Sequence, residues 1–249
     1  DLHSFPTRRS SDLHIVHPTQ CSDHLVGSLE YQHPGGPALR LEAYRKDYRE
    51  LRPRFENLLN TSVLLPELKP DRIRLAPQRA LAQGAELTVR RAGPVPLGWW
   101  ASYTWAQVED DEGLIEARRT WDQTHQVSAG FSWQTDRWQL SLAGLYHSGR
   151  PTTAVTLAEG DPVPLAIAGP RNSLTLDSYF SVDARVARRF EFDSAGVLTV
   201  FLEVRNLTNR RNVCCTEYEL GDEGDTELFE LEHITYPPLF PSFGFLWQF

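Results

Sequence analysis

The chain has 249 residues, of which 41% are hydrophobic and 23% charged, with a formal net charge of −8. That is too apolar for a disordered chain, and the acidic balance disfavours nucleic acid, whose phosphates need clustered Lys and Arg. No apolar run of about 18 residues occurs, which excludes a transmembrane helix but not transmembrane strands, which meet lipid only at every second residue.

The chain begins with Asp1 and contains no Met, so it reads as a fragment of a longer product. Asp1–Leu13 (DLHSFPTRRSSDL) resembles one translated frame of a sequencing-adapter oligonucleotide. It is set aside as foreign, and the fold is expected within residues 14–249.

The signal that follows is period-two alternation, broken by turn residues. In Ser22–His33, Leu25, Gly27, Leu29 and Tyr31 oppose Ser28, Glu30 and Gln32. In Asp122–Gln134, Val127, Ala129, Phe131 and Trp133 oppose Gln126, Ser128, Gly130 and Ser132. In Val197–Asn206, Leu198, Val200, Leu202 and Val204 oppose Thr199, Glu203 and Arg205, with Phe201 on that second face. A helix would scatter these residues around its circumference, whereas a strand separates them into two faces. The pattern predicts nine strands, near residues 22–33, 38–49, 78–91, 98–108, 122–134, 137–147, 177–192, 196–206 and 241–249.

The connections alternate. Pro34–Pro37, Ala92–Leu97, Thr135–Asp136 and Asp193–Ala195 are short, while roughly 50–77, 109–121, 148–176 and 207–240 are long and expected to lack structure. Short turns at one end and long loops at the other are the mark of an outer-membrane β-barrel. Aromatics near strand ends fit its interfacial girdles: Trp99, Trp100, Trp105, Trp121, Trp133, Trp138, Phe190, Phe192, Trp247 and Phe249. The expected fold is all-β, an antiparallel transmembrane barrel that is incomplete, holding about nine C-terminal strands. A complete single-chain barrel has an even strand number, so an odd number would precede them. Glu30, Arg40, Glu42, Glu86, Arg90, Asp183, Arg185, Glu203 and Arg205 are then expected to face the lumen.

No catalytic motif is present: no GxSxG, no HExxH, no P-loop. Neither cofactor nor metal site is expected, since three cysteines (Cys21, Cys214, Cys215) without a CxxC pair suit no zinc site. Cys214 and Cys215 could bond to each other, bond elsewhere or stay free. The weak ligand candidates are His147, Arg210, Arg211 and His233 at loop edges. Glu217–Glu232 (EYELGDEGDTELFELE) and Glu109–Glu112 (EDDE) are acidic segments, read as solvated loops.

Several segments resemble TonB-dependent receptor barrels. RRTWDQTHQVSAGFSW (Arg118–Trp133) resembles their Trp-Asp-x-x-His strand start, and LYHSGRPTT (Leu145–Thr153) the strand end that follows. FSVDARVARRFEF with FLEVRNLTNRRN (within Phe180–Asn212) resembles the penultimate hairpin, and YPPLFPSFGFLWQF (Tyr236–Phe249) the closing segment. The resemblance implies an outer-membrane transporter rather than an enzyme. Its barrel would have about 22 strands and a plugged lumen, with the plug and the TonB-contacting segment in an N-terminal part. The cargo it implies is a ferric siderophore, with cobalamin or a carbohydrate as others. It further implies capture by the barrel-assembly machinery through Phe249, and lipopolysaccharide and outer-membrane lipid around the barrel. The alternatives are a passive porin and a soluble secreted β-rich binding protein.

Overall fold

The computed structural model describes residues 19–57, 63–69, 71–91, 96–113, 116–158, 165–193, 195–220 and 229–249. Asp1–Leu13 therefore lies outside the described residues. The strands run β1 Cys21–Gln32, β2 Ala38–Arg49, β3 Arg54–Asn57, β4 Arg72–Leu75, β5 Arg79–Arg91 and β6 Leu97–Asp111. They continue with β7 Glu116–Arg118, β8 His125–Gln134, β9 Trp138–His147, β10 Pro151–Thr152, β11 Val155–Ala158 and β12 Leu165–Ala168. The last are β13 Leu174–Thr175, β14 Tyr179–Phe192, β15 Gly196–Arg205, β16 Val213–Leu220, β17 Phe229–Thr235 and β18 Phe240–Gln248.

One ten-stranded sheet dominates, in the order β1-β2-β5-β6-β8-β9-β14-β15-β18, with β7 paired to the end of β6. These nine long strands are the nine the alternation predicts, each joined antiparallel to its sequence neighbour in the sheet. β1 and β18 lie at opposite edges, so the sheet is open, as an incomplete barrel requires. At the first short turn His33 donates its N–H to Pro37 O and Gly36 donates to His33 O. Gly35 there has φ +69°, a conformation an L side chain resists.

The registers set the two faces, because directly paired residues project to the same side. One face carries Leu29, Leu41, Leu87 and Tyr103 across β1, β2, β5 and β6. It continues through Phe131 and Leu142 to Ala184, and beside these through Val186, Leu202 and Phe243. Leu25, Phe243 and Phe245 are 74%, 89% and 73% exposed on it. A contiguous apolar face of this extent does not suit a soluble monomer, and it is the outside of a barrel. All nine charged residues expected in the lumen fall on the opposite face, where Arg40 meets Glu30 and Glu42, and Arg205 meets Glu203.

Four expectations need correction. Glu109–Glu112 is not a solvated loop: Glu109–Asp111 end β6, and Asp110 is buried because arginines from the loops close over it. Trp100 pairs with Gly130 and Arg90 on the inward face, so it is not a girdle residue. A Cβ at Gly130 would collide with the Trp100 indole, which shows how closely the ring covers that glycine. Trp121 lies outside any strand, 65% exposed between β7 and β8. The long connections are not structureless: β3 pairs β4, β10 pairs β13, β11 pairs β12 and β16 pairs β17. β3, β4 and β10 to β13 have four residues or fewer, over which alternation carries little signal. β16 and β17 are longer, but their alternation of glutamate with apolar residues is hidden within the acidic segment.

Candidate functional site

On β6 the outward positions are Leu97, Trp99, Ala101, Tyr103 and Trp105, followed by Gln107, Glu109 and Asp111. Leu97–Trp105 is the length of a tilted membrane crossing, about 9–11 residues. Residues 106–111 of β6 therefore project beyond it at the long-loop end, and there the loops bend over the inward face.

The deepest point of that assembly is Asp110, whose side chain is 0% exposed. Its carboxylate accepts hydrogen bonds from Arg119 Nε at 2.8 Å, from Arg171 at 3.3 Å and from Arg54. Arg171, only 10% exposed, also grips Glu56 with Nη2 at 2.9 Å and Nε at 3.2 Å, and Glu112 with Nη1 at 2.9 Å. Three arginines thus face Asp110, Glu56 and Glu112, drawn from β3, β6, the β7–β8 connection and the β13 approach. The charges balance, so the cluster fastens loops rather than advertising a net charge. Burial pushes the Asp110 carboxyl up, but the hydrogen bonds and charges of Arg54 and Arg119 outweigh it and hold the group below its ordinary range. Burial likewise opposes the Arg171 charge, yet Glu56, Asp110 and Glu112 together raise its pKa.

The Trp-Asp-x-x-His segment has a structural use beside this cluster. Asp122 is buried and takes Arg118 Nε at 2.9 Å, while Arg118 also donates to Thr124 Oγ1 at 2.9 Å. His125 donates its backbone N–H to Ser148 Oγ and meets the Tyr103 hydroxyl at 2.9 Å. The Arg150 guanidinium lies 4.5 Å over the Trp121 ring.

The Asn-Leu-x-Asn ending works in the same way. Asn206 and Asn209 adopt left-handed φ of 50° and 52°. Asn206 donates to Arg210 O and accepts from Arg210 N, and Asn209 accepts from Leu239 N. Buried Asn212 accepts from Phe180 N and donates to Phe180 O, both at 2.9 Å, so a side-chain amide replaces a strand partner.

The four ligand candidates separate into two pairs. His147 stacks on Tyr179 at 4.8 Å, and Arg210 donates to Ser178 O and Oγ, so both brace the start of β14. Arg211 and His233 are exposed, the latter on β17 opposite Thr216. Phe249 is fully exposed beyond β18. In the acidic segment Glu217 pairs with Glu232 across β16 and β17, while Asp222, Glu223, Asp225 and Glu227 lie outside the described residues.

Cys214 and Cys215 form a disulfide with each other, and Cys21 is free. Alkylation of the unfolded chain without reductant is expected to label one thiol, read by intact mass. Three labelled thiols would mean that the bridge does not exist. Glu56, Arg54 and Arg171 were not singled out by the sequence; the one hint was EDDE and Arg118–Arg119 standing with opposite charge in the same 109–121 connection.

No curated protein matches the chain by sequence. Among solved structures it is similar to FpvA of P. aeruginosa, in a complex with a pyoverdine and iron, with TM-score 0.53 and 15% identity. The match covers 91% of this chain and 27% of FpvA, so the chain spans about a quarter of that protein's length. At that identity the likeness concerns the fold alone. A family model described as TonB dependent receptor-like, beta-barrel matches residues 27–207. With the open sheet and its outward apolar face, this shows that the chain belongs to the TonB-dependent receptor β-barrel family of the Gram-negative outer membrane.

Proposed function

We propose that the chain is the C-terminal share of the barrel of a TonB-dependent transporter, and that a ferric siderophore is its cargo. The observation that carries this reading is the family match over residues 27–207 on a sheet whose outward face is apolar and whose inward face is charged. Cobalamin and a carbohydrate are the alternative cargoes. Arg211 and His233, exposed on the long-loop side, are the proposed contacts for an anionic ligand. TonB would act through an N-terminal part. Phe249 is proposed as the grip for the barrel-assembly machinery, through addition of a strand at the last strand β18.

Uptake of radiolabelled ferric siderophore tests this. It is expected to disappear when the gene is deleted and equally when TonB is deleted. Uptake that survives loss of TonB would favour a passive pore. Recovery of the product in the soluble fraction would favour the secreted binding protein.

A further inference from the structure

The long connection between β2 and β5 carries apolar side chains into water. Leu64, Leu65 and Leu68 are 91%, 55% and 76% exposed. They share one turn, in which Leu68 donates its N–H to Leu65 O and Pro66–Leu68 form a short 3-10 helix. Single exposed leucines are ordinary, but three on one turn mark a contact surface. Glu67 and Lys69 in the same turn carry opposite charges, so the turn itself has no net charge.

Their neighbours Val63 and Pro66 line a cavity of about 300 Å³, together with Phe55, Trp121, Arg54 and Arg119. Its place is fixed by Asp110, which belongs to the inward row Ser22, Tyr48, Ala80 and Asp110. Arg54 and Arg119 both hold Asp110, so the cavity stands over the lumen and not over lipid. Its lining has two characters. Phe55, Val63, Pro66 and the Trp121 indole are apolar, and the leucine turn continues that surface outward. Arg119 is cationic: its Nε donates to Asp110, and among the described residues its two terminal nitrogens have no partner. The carboxylate of the lining, Glu56, is already engaged by Arg171 and Thr120. The free donors are therefore those of a guanidinium, whose fork matches a carboxylate.

We propose that this cavity takes an anionic amphiphile, and that the cargo is a chelate carrying an alkyl chain. The anionic head pairs with Arg119, and the chain runs along Phe55, Val63 and Pro66 to the three leucines. A wholly hydrophilic cargo would leave the leucines uncovered, and a lipid of the outer leaflet does not reach a cavity over the lumen. The chelate half of the inference rests on the proposed siderophore cargo; the amphiphile half rests on the cavity.

The test uses the complete receptor that carries this chain, held in phospholipid nanodiscs, with binding to empty nanodiscs subtracted. The probes are a ferric citrate dihydroxamate with a dodecanoyl chain, the same chelate with an acetyl group, N-dodecanoyl glutamate and its dimethyl ester. The dodecanoyl chelate is expected to bind at least about tenfold more tightly than the acetyl one, as burial of about two methylene groups gives. The dimethyl ester is expected to bind about tenfold more weakly than the free dicarboxylate, the loss of one hydrogen bond to a charged group. L64S/L65S/L68S is expected to abolish the preference for the chain and to leave the acetyl chelate unaffected. These side chains lie in water, so the variant keeps the fold. Equal binding of the two chelates would overturn the proposal and leave the siderophore reading standing. Failure of N-dodecanoyl glutamate to bind, or a chain preference that survives in the leucine variant, would also overturn it. Binding of N-dodecanoyl glutamate with neither chelate bound would uphold the amphiphile site and count against a chelate as cargo.

Discussion

Replacing Asp110 with Asn is expected to loosen the loop assembly at the extracellular mouth by about 3 kcal/mol, the lower end of what breaking a buried ion pair costs. The lower end applies because Arg54 and Arg119 each keep 32% of their side-chain surface in water. Arg119 would lose its carboxylate partner, and Arg171 would retain only Glu56 and Glu112. Hydrogen exchange in the complete receptor reads the effect locally: protection of residues 54–57 and 117–122 is expected to fall by about a hundredfold, at about 1.4 kcal/mol per tenfold. Unchanged protection would mean that the cluster does not fasten these loops. Acid should act in the same direction. The folded pKa of Asp110 is depressed, so its contribution is fully present above the ordinary carboxylate value of 3.8 and is lost as pH falls below it. The D110N variant is expected to lack that acid-dependent step.

The second large effect concerns the faces of the barrel. Leu202 lies between Val186 and Phe243 on the outward side. Leu202→Arg is expected to cost about 2–4 kcal/mol, the penalty for a cation on the lipid face near the midplane. Val200 is a less suitable position, because it pairs with Arg188, whose guanidinium lies 5.0 Å over the Trp138 ring, within reach of the interface. The inward control is Thr104→Arg, directly across from Glu86, where an added cation gains a partner. The measurement is folding of the complete receptor into lipid vesicles, followed by the heat-dependent gel shift of a folded barrel. Equal loss at both positions would overturn the assignment of faces.

The nine long strands were legible in the sequence because a barrel repeats one simple demand, apolar outside and polar inside, on every strand. Leu198, Val200, Leu202 and Val204 follow it on the outward side, with Phe201 the apolar exception among the inward Thr199, Glu203 and Arg205, and their neighbour β14 follows it on both sides from Phe180 to Val186. Trp100 misled because hydrophobicity alone does not say that a large ring is wanted inside, over Gly130. The cluster at Asp110 was illegible for a different reason. Its members are separated by as many as 115 residues, and ion pairs between loops leave no periodic trace. The asparagines after β15 were legible as a family pattern but not as a mechanism. Their use appears only when the carbonyls and amides they satisfy are in view.

Those asparagines have a consequence for how such a receptor changes over generations. Asn206, Asn209 and Asn212 rivet both ends of the 206–239 connection to β14 and to each other. Everything between the rivets can lengthen, shorten or change its chemistry without sliding β15 against β18. The barrel wall and the loop tip are therefore separately mutable. A lineage can try new surface loops against new ligands, or against phages and antibodies, while the wall beneath stays in register.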